Sequence, residues 1–202
     1  MIDIDQTGDV LTLAINRPDK ANSLTRDMLA ELADAIEEYD GKVLILTGRG
    51  KVFSAGADLE AAKAGLATDP VWEQLSSAIA GFKGLSIAAL NGTLAGGACG
   101  MALACDLRIS VPTAKVFYPV MRLGFLPQPS DPKRLAALVG PARAKMILMS
   151  GQKIEAAEAL EWGLIDRISD PEHLMETAHQ LAADCVAADA SHVAAIKRMI
   201  DA

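Results

Sequence analysis

The stretch GLSIAALNGTLAGGACGMALAC, residues 84–105, decides the fold. It carries no charge and is long enough to cross a bilayer if it formed one helix, since a span needs roughly 20 apolar residues. Its own residues break it. Asn91-Gly92 and Gly96-Gly97 divide it into a strand over Ser86 to Leu90, a turn, and a short helix from Gly97 to Cys105. Irregular backbone facing lipid would leave amide groups without partners, so a membrane span is set aside. A buried strand that runs into a helix of small residues is instead a unit of an α/β core.

The same rhythm extends upstream. Val10 to Ile15 alternates apolar and polar positions and reads as a strand that ends at the Asn16-Arg17-Pro18-Asp19 breaker. Thr25 is placed to cap a helix whose apolar residues Met28, Leu29, Leu32, Ala35 and Ile36 share a face, and Gly41 closes it. Val43 to Thr47 reads as a buried strand, and Pro70 to Phe82 as a helix. Downstream, Asp106 to Val111 and Lys115 to Phe117 are short β segments. The chain then turns mainly helical apart from Leu164 to Ile168. Asp131-Pro132 predicts an N-cap residue followed by proline at the first helical position, and Pro171 opens a helical run to Ala188. Without an internal repeat, a low-complexity segment or a Pro/Gly/Ser-rich linker, the chain reads as a single domain over 1–202. Within it, an α/β core over 1–140 precedes a mainly helical region over 141–202.

Composition agrees with one substantial core, because 202 residues with 51% hydrophobic side chains suffice to build it. A formal charge of −7 argues against a nucleic-acid partner, which would need clustered Lys and Arg. Cys99, Cys105 and Cys185 form no CxxC pair and are too few for a disulfide framework, which points to a reducing, cytoplasmic setting. The acidic start, Ile2-Asp3-Ile4-Asp5, lacks the basic and apolar regions of a signal peptide.

Two segments could carry chemistry. Phe53-Ser54-Ala55-Gly56-Ala57-Asp58-Leu59 places small residues between a strand and a polar helical segment. Small side chains there let a ligand approach outward-pointing amides backed by a helix dipole. Asn91-Gly92-Thr93-Leu94-Ala95-Gly96-Gly97-Ala98-Cys99-Gly100 does the same. Neither contains GxxxxGK[ST] or GxGxxG, which weakens a nucleotide reading. For the first segment the bland alternative is a tight turn. For the second it is close helix packing, since Gly96 and Gly100 lie one turn apart on one face.

Taken together, and with Asn16-Arg17-Pro18-Asp19-Lys20-Ala21-Asn22-Ser23-Leu24, Cys105-Asp106-Leu107-Arg108-Ile109 and Ala157-Glu158-Ala159-Leu160-Glu161-Trp162-Gly163-Leu164-Ile165-Asp166, these segments resemble the crotonase superfamily, of the enoyl-CoA hydratase/isomerase type, in order and spacing. The resemblance implies a ClpP/crotonase-like spiral ββα core. It also implies an acyl-CoA thioester as substrate, with coenzyme A entering only as part of that substrate, and no metal. The family's oxyanion-hole amides fall on Ala57 and Gly97. CoA is expected along the Arg17 to Leu24 turn and the Asp58-Leu59 corner, with Lys20, Ala21, Ala55, Asp58 and Leu59 as contacts; for Lys20 a solvated role competes equally. A homo-oligomer, trimer or hexamer, is the family's usual assembly.

The chain also departs from that pattern. The two glutamates with which family hydratases add water fall on Gly100 and Val120, and the carboxylate position of some isomerases and dehalogenases falls on Gln128. None of these transfers a proton at neutral pH. Isomerase or decarboxylase-type chemistry is therefore favoured over standard hydration, and a non-catalytic acyl-CoA-binding or assembly protein is the alternative. Other carboxylates are candidates with simpler explanations: Asp131 as a helix cap, Glu60 and Glu73 as solvated helix residues. Cys99 has no histidine near it in sequence, since His173, His179 and His192 all lie in the C-terminal part. Tyr118 reads first as a packing residue. The end at Ala202 falls before the further C-terminal helices usual in the family.

Overall fold

The computed structural model describes residues 1–201. Its strands are β1 (Ile2–Thr7), β2 (Val10–Ile15), β3 (Val43–Gly48), β4 (Val52–Ser54), β5 (Leu85–Leu90), β6 (Thr93–Ala95), β7 (Leu107–Ser110), β8 (Lys115–Phe117), β9 (Ile154–Glu155) and β10 (Arg167–Ile168). Its α-helices are α1 (Arg26–Glu37), α2 (Leu59–Lys63), α3 (Val71–Gly81), α4 (Ala98–Ala104), α5 (Val120–Leu123), α6 (Asp131–Leu148), α7 (Ala156–Glu161), α8 (Leu174–Ala187) and α9 (Ala190–Asp201). Among the described residues no helix is long and apolar enough to cross a membrane.

Two sheets organise these elements. The larger runs β1-β2-β3-β5-β7-β10 and is parallel from β2 onward; the smaller runs β4-β6-β8-β9. Strands leave the larger sheet and enter the smaller one in succession: β3 leads to β4, β5 to β6 and β7 to β8, each pair followed by helix. This repeated strand–strand–helix unit is the spiral that the sequence resemblance implies. Asparagine side chains clamp its coils together. Asn91 Nδ2 donates to Gly50 O at 2.9 Å and Asn91 Oδ1 accepts from Gly48 N at 3.0 Å, while Asn22 Nδ2 donates to Arg49 O and Val52 O. The coils lie so close that a Cβ added to Gly92 would stand 2.0 Å from Lys51 O, so this position admits only glycine.

The central strands are buried on both faces, which explains their unbroken apolar runs. Along β3, Leu44 and Leu46 pack with α1, α3 and α4 residues, whereas Val43 and Ile45 pack with Leu174, Ala178 and Ala182 of α8. Thr25 caps α1, with its hydroxyl accepting from Met28 N. The buried face of α1 is Met28, Leu29, Leu32, Ala33 and Ile36, so Ala33 takes the place expected for Ala35, and the helix ends at Glu37, ahead of Gly41. The C-terminal region supplies a strand to each sheet, β9 and β10. Only Arg167–Ile168 of the expected Leu164 to Ile168 segment pairs as strand, against β7. Pro171 opens a 3-10 turn, and α8 itself starts at Leu174. Arg108, 4% exposed, ties this region down: Nε donates to Leu164 O at 3.0 Å, NH1 to Cys105 O at 2.7 Å, and NH2 meets Asp166 at 3.3 Å.

Candidate active site

The two small-residue segments meet because they leave adjacent parallel strands at the same end. β4 pairs with β6 with Ser54 opposite Leu94, so the residues that follow each strand turn out side by side. Glycine permits the approach. Gly56 has φ 89°, and a Cβ there would stand 2.8 Å from Ala95 O and 3.4 Å from Gly97 N. The flanking amides are engaged: Gly56 N donates to Ser54 Oγ at 3.1 Å, Asp58 N to Leu24 O at 2.8 Å, and Gly96 N to Phe117 O at 3.1 Å. Among the described residues the Ala57 and Gly97 amides have no such acceptor. For Ala57 the cause is its single bridge to Leu24, which uses the Gly56 carbonyl and the Asp58 N–H and turns the Ala57 N–H away. Gly97 precedes the first turn of α4, where amides have no partner within the helix. Both residues are partly exposed, on segments that lie side by side.

The Arg17 to Leu24 turn is stitched to the first segment. Ala55 N donates to Ala21 O at 3.0 Å and Leu24 N to Gly56 O at 2.8 Å. Arg17 NH1 meets Asp58 Oδ2 at 2.8 Å, and Asp58 Oδ1 accepts from Glu60 N and Ala61 N to cap α2. The Arg17 hydrogen bond, followed by the capping amides, holds the Asp58 carboxyl below the usual range. Ala21 and Asn22 both take positive φ, 50° and 54°, which shapes the corner. Of the residues expected to contact CoA, Ala21 and Asp58 are half-buried, while Lys20, Ala55 and Leu59 are exposed beside them.

Deeper along α4, Gly100 is buried, and a Cβ there would stand 2.8 Å from Oδ1 and 3.0 Å from Oδ2 of Asp131. Asp131 is 0% exposed. Its expected capping role is corrected by the geometry: Ser130 holds the N-cap position, Asp131 is the first helical residue, and no side-chain cap bond forms. The carboxylate turns inward instead, where Oδ2 accepts from Tyr118 Oη at 2.9 Å and Oδ1 has no partner among the described residues. Tyr118 is therefore more than a packing residue. Burial pushes Asp131 up to about 6, against the Tyr118 hydrogen bond and Arg134, which lower it; Glu73 adds to the rise. Burial, and then Asp131, drive the Tyr118 hydroxyl far above its ordinary range.

The remaining candidates separate. Glu73 accepts from Ser130 N at 3.2 Å and from Ser130 Oγ, so it caps α6 from outside the helix rather than lying free in solvent. Glu60 is exposed and paired with Lys63. Val120 is buried at the start of α5, and Gln128 Nε2 donates to Ala67 O at 3.3 Å. Burial, and next Asp131, push the Cys99 thiol up, the reverse of what a thiolate nucleophile needs. Trp72 lies over the N-terminus of α4: a Cβ on Gly97 would stand 3.1 Å from its ring, and its Nε1 donates to Leu66 O at 2.8 Å.

A family model described as enoyl-CoA hydratase/isomerase matches residues 5–202. The chain belongs to that family. Among similar members of the enoyl-CoA hydratase/isomerase family, the short-chain-enoyl-CoA hydratase of Clostridium acetobutylicum is 37% identical over 193 residues, spanning 89% of this chain and 72% of that one. The carnitinyl-CoA dehydratase of Citrobacter koseri is 34% identical over 95% of this chain and 77% of its own. The crystal structure of an enoyl-CoA hydratase from Bacillus anthracis superposes with a TM-score of 0.91 at 32% identity, covering 99% of this chain and 82% of that one. Fold and family are thus those of the crotonase-type acyl-CoA enzymes. What the sequence pattern missed in this family member is the tertiary pairing of Asp131 with Tyr118 and Gly100. Its one legible sign is a polar carboxylate beside the apolar stretch that follows β8.

Proposed function

We propose that this enoyl-CoA hydratase/isomerase family enzyme holds an acyl-CoA thioester with its carbonyl oxygen between the Ala57 and Gly97 amides and stabilises the enolate formed there. The carrying observation is the pair of unpartnered amides, brought side by side by β4 and β6. An acyl thioester that gains negative charge on oxygen needs donors fixed before the charge develops. Backbone amides meet that need without reorganisation. The Arg17–Asp58 corner, joined to the same segment, is where the CoA portion would lie, with Lys20, Ala21, Ala55, Asp58 and Leu59 along it.

Hydration requires one group to activate water and another to protonate carbon, and neither Gly100 nor Val120 has a side chain able to do either. Double-bond isomerisation needs one proton carrier. Decarboxylation of a malonyl-type thioester needs the donors alone, because the C–C bonding electrons become the enolate as CO2 departs. These two chemistries fit the site better than hydration does. The test is to incubate the protein with a panel of acyl-CoAs in D2O and follow α-carbon deuterium by NMR. Exchange on at least one thioester is the expected result. Binding without exchange or turnover would replace the enzyme reading with that of an acyl-CoA-binding protein.

A further inference from the structure

The space that a side chain at Gly100 would enter is occupied by a carboxylate delivered from another element, since a Cβ there would stand 2.8 and 3.0 Å from the two Asp131 oxygens. We propose that Asp131 is the proton-transferring carboxylate of this site, filling the volume that the absent Gly100 side chain leaves, with Tyr118 as its positioning residue. This rests on the assignment of the Ala57 and Gly97 amides to the thioester oxygen.

Gly97 and Gly100 lie one helical turn apart on the same side of α4, about 4.5 Å along its axis. The Gly97 end carries the free amide, and the Gly100 position meets both Asp131 oxygens at 2.8 and 3.0 Å from where a Cβ would sit. A thioester whose oxygen is held at Gly97 and whose α-carbon lies along this side of the helix would bring that carbon towards Asp131. Trp72, packed on Gly97 and held by its Nε1 hydrogen bond to Leu66 O, borders that face.

One oxygen of this buried carboxylate has no hydrogen-bond partner among the described residues. Buried carboxylates are normally saturated with donors, and one left open is costly unless a ligand or a proton completes it. Asp131 is completely buried, Oδ2 is held by Tyr118, and Oδ1 is open. No helix cap accounts for it, because Glu73 already serves Ser130 at that helix start. The groups facing the carboxylate are Tyr118 beyond β8, Cys99 on α4, Glu73 on α3 and Arg134 on α6 itself. With burial they set its titration at about 6, so the ionised base prevails at neutral pH while its acid form stays within reach, as a two-way proton carrier requires.

The step balances without a co-reactant. Asp131 removes the α-proton, the C–H electrons form the enolate C=C, and the thioester oxygen takes the charge between the two amides. The neutral Asp131 then exchanges its proton with solvent and returns a deuteron to the α-carbon, which is the exchange that D2O reveals, or hands its proton to the γ-carbon of a β,γ-unsaturated chain, which moves the double bond. This deepens the proposed function towards isomerisation of enoyl thioesters.

The experiment is α-deuterium exchange on acyl-CoAs with wild type, Asp131→Asn, Tyr118→Phe, and the double substitution of Gly100→Glu with Asp131→Gly. Asp131→Asn is expected to lose exchange by about 10²- to 10⁴-fold, the usual reach of a general base, while acyl-CoA affinity changes by no more than about threefold. The wild-type rate should climb through pH about 6 and level off. Tyr118→Phe should move that rise to higher pH, since it removes a hydrogen bond that favours the ionised form, a shift that a purely structural tyrosine would not produce. The double variant, with its carboxylate returned from α4, should regain exchange over Asp131→Asn. Full exchange in a folded Asp131→Asn, or a pH rise unmoved in Tyr118→Phe, overturns the assignment and leaves the amide site standing. Silence from wild type with bound acyl-CoA overturns both.

Discussion

Replacing Gly97 by proline is expected to lower turnover or α-exchange of acyl-CoA by about 10²- to 10³-fold, the loss typical of deleting one donor from a preorganised oxyanion site. The substitution suits the backbone. Gly97 has φ −57°, within the range a proline ring imposes, and its N–H has no acceptor among the described residues, so no structural hydrogen bond is lost. The preceding residue is Gly96, which lacks the Cβ through which proline crowds its predecessor. One side effect needs a control, since any Cβ at this position presses the Trp72 ring at 3.1 Å. Gly97→Ala adds that pressure and keeps the amide. A loss confined to proline, seen in kcat more than in KM, identifies the amide as the working group. Full activity in a folded Gly97→Pro would remove Gly97 from the site.

The elements legible in the sequence were those whose burial repeats over enough residues to leave a pattern. β2, β3 and β5 are six residues each and almost wholly buried, and α1 carries a capping threonine ahead of a clear apolar face. Of the smaller sheet only β8, Lys115–Phe117, was legible; β4 and β6 have three residues and β9 two, too short for a period-2 signal to stand out. β1 is a different case. Ile2 and Ile4 do alternate with Asp3 and Asp5, but the strand lies at the edge and Ile4 is half exposed, so its pattern reads equally as a polar terminus.

At the site, the same contrast holds. The glycine segments were visible because close backbone approach demands small residues locally, at Gly56 and Gly92 as much as at Gly97. Their specific amide roles came from family resemblance rather than spacing. Asp131 was hidden for a tertiary reason. Asp before proline is the ordinary signature of a helix start, and nothing within its own segment shows that Glu73, 58 positions earlier, occupies the adjoining cap or that Gly100 leaves room for an inward carboxylate. The loss of a side chain at one position and the gain of a carboxylate at another become one event only when α4 and α6 are brought together.

That exchange has a thermodynamic signature. The folded-state value of Asp131, about 6, lies above the roughly 3.9 of an unfolded aspartate, so its contribution to stability runs in the direction opposite to a salt-bridged acid. Below pH about 4 both states are protonated and the group is neutral to folding. Between about 4 and 6 the folded chain keeps the proton that the unfolded chain has released, and stability falls as pH rises. Above 6 the full difference persists, on the order of 3 kcal/mol for about two units at 1.4 kcal/mol each. Asp131→Asn cannot ionise and still offers an acceptor to Tyr118. It should therefore be the more stable protein at pH 8, by about 2–3 kcal/mol, with the gap closing towards pH 4. Urea denaturation of both proteins at the two pH values measures this directly, and a gap that is absent or independent of pH would show that the carboxylate is not held against its charge. A buried acid that weakens the fold at neutral pH, and whose removal strengthens it, is the pattern of a residue kept for chemistry rather than for structure.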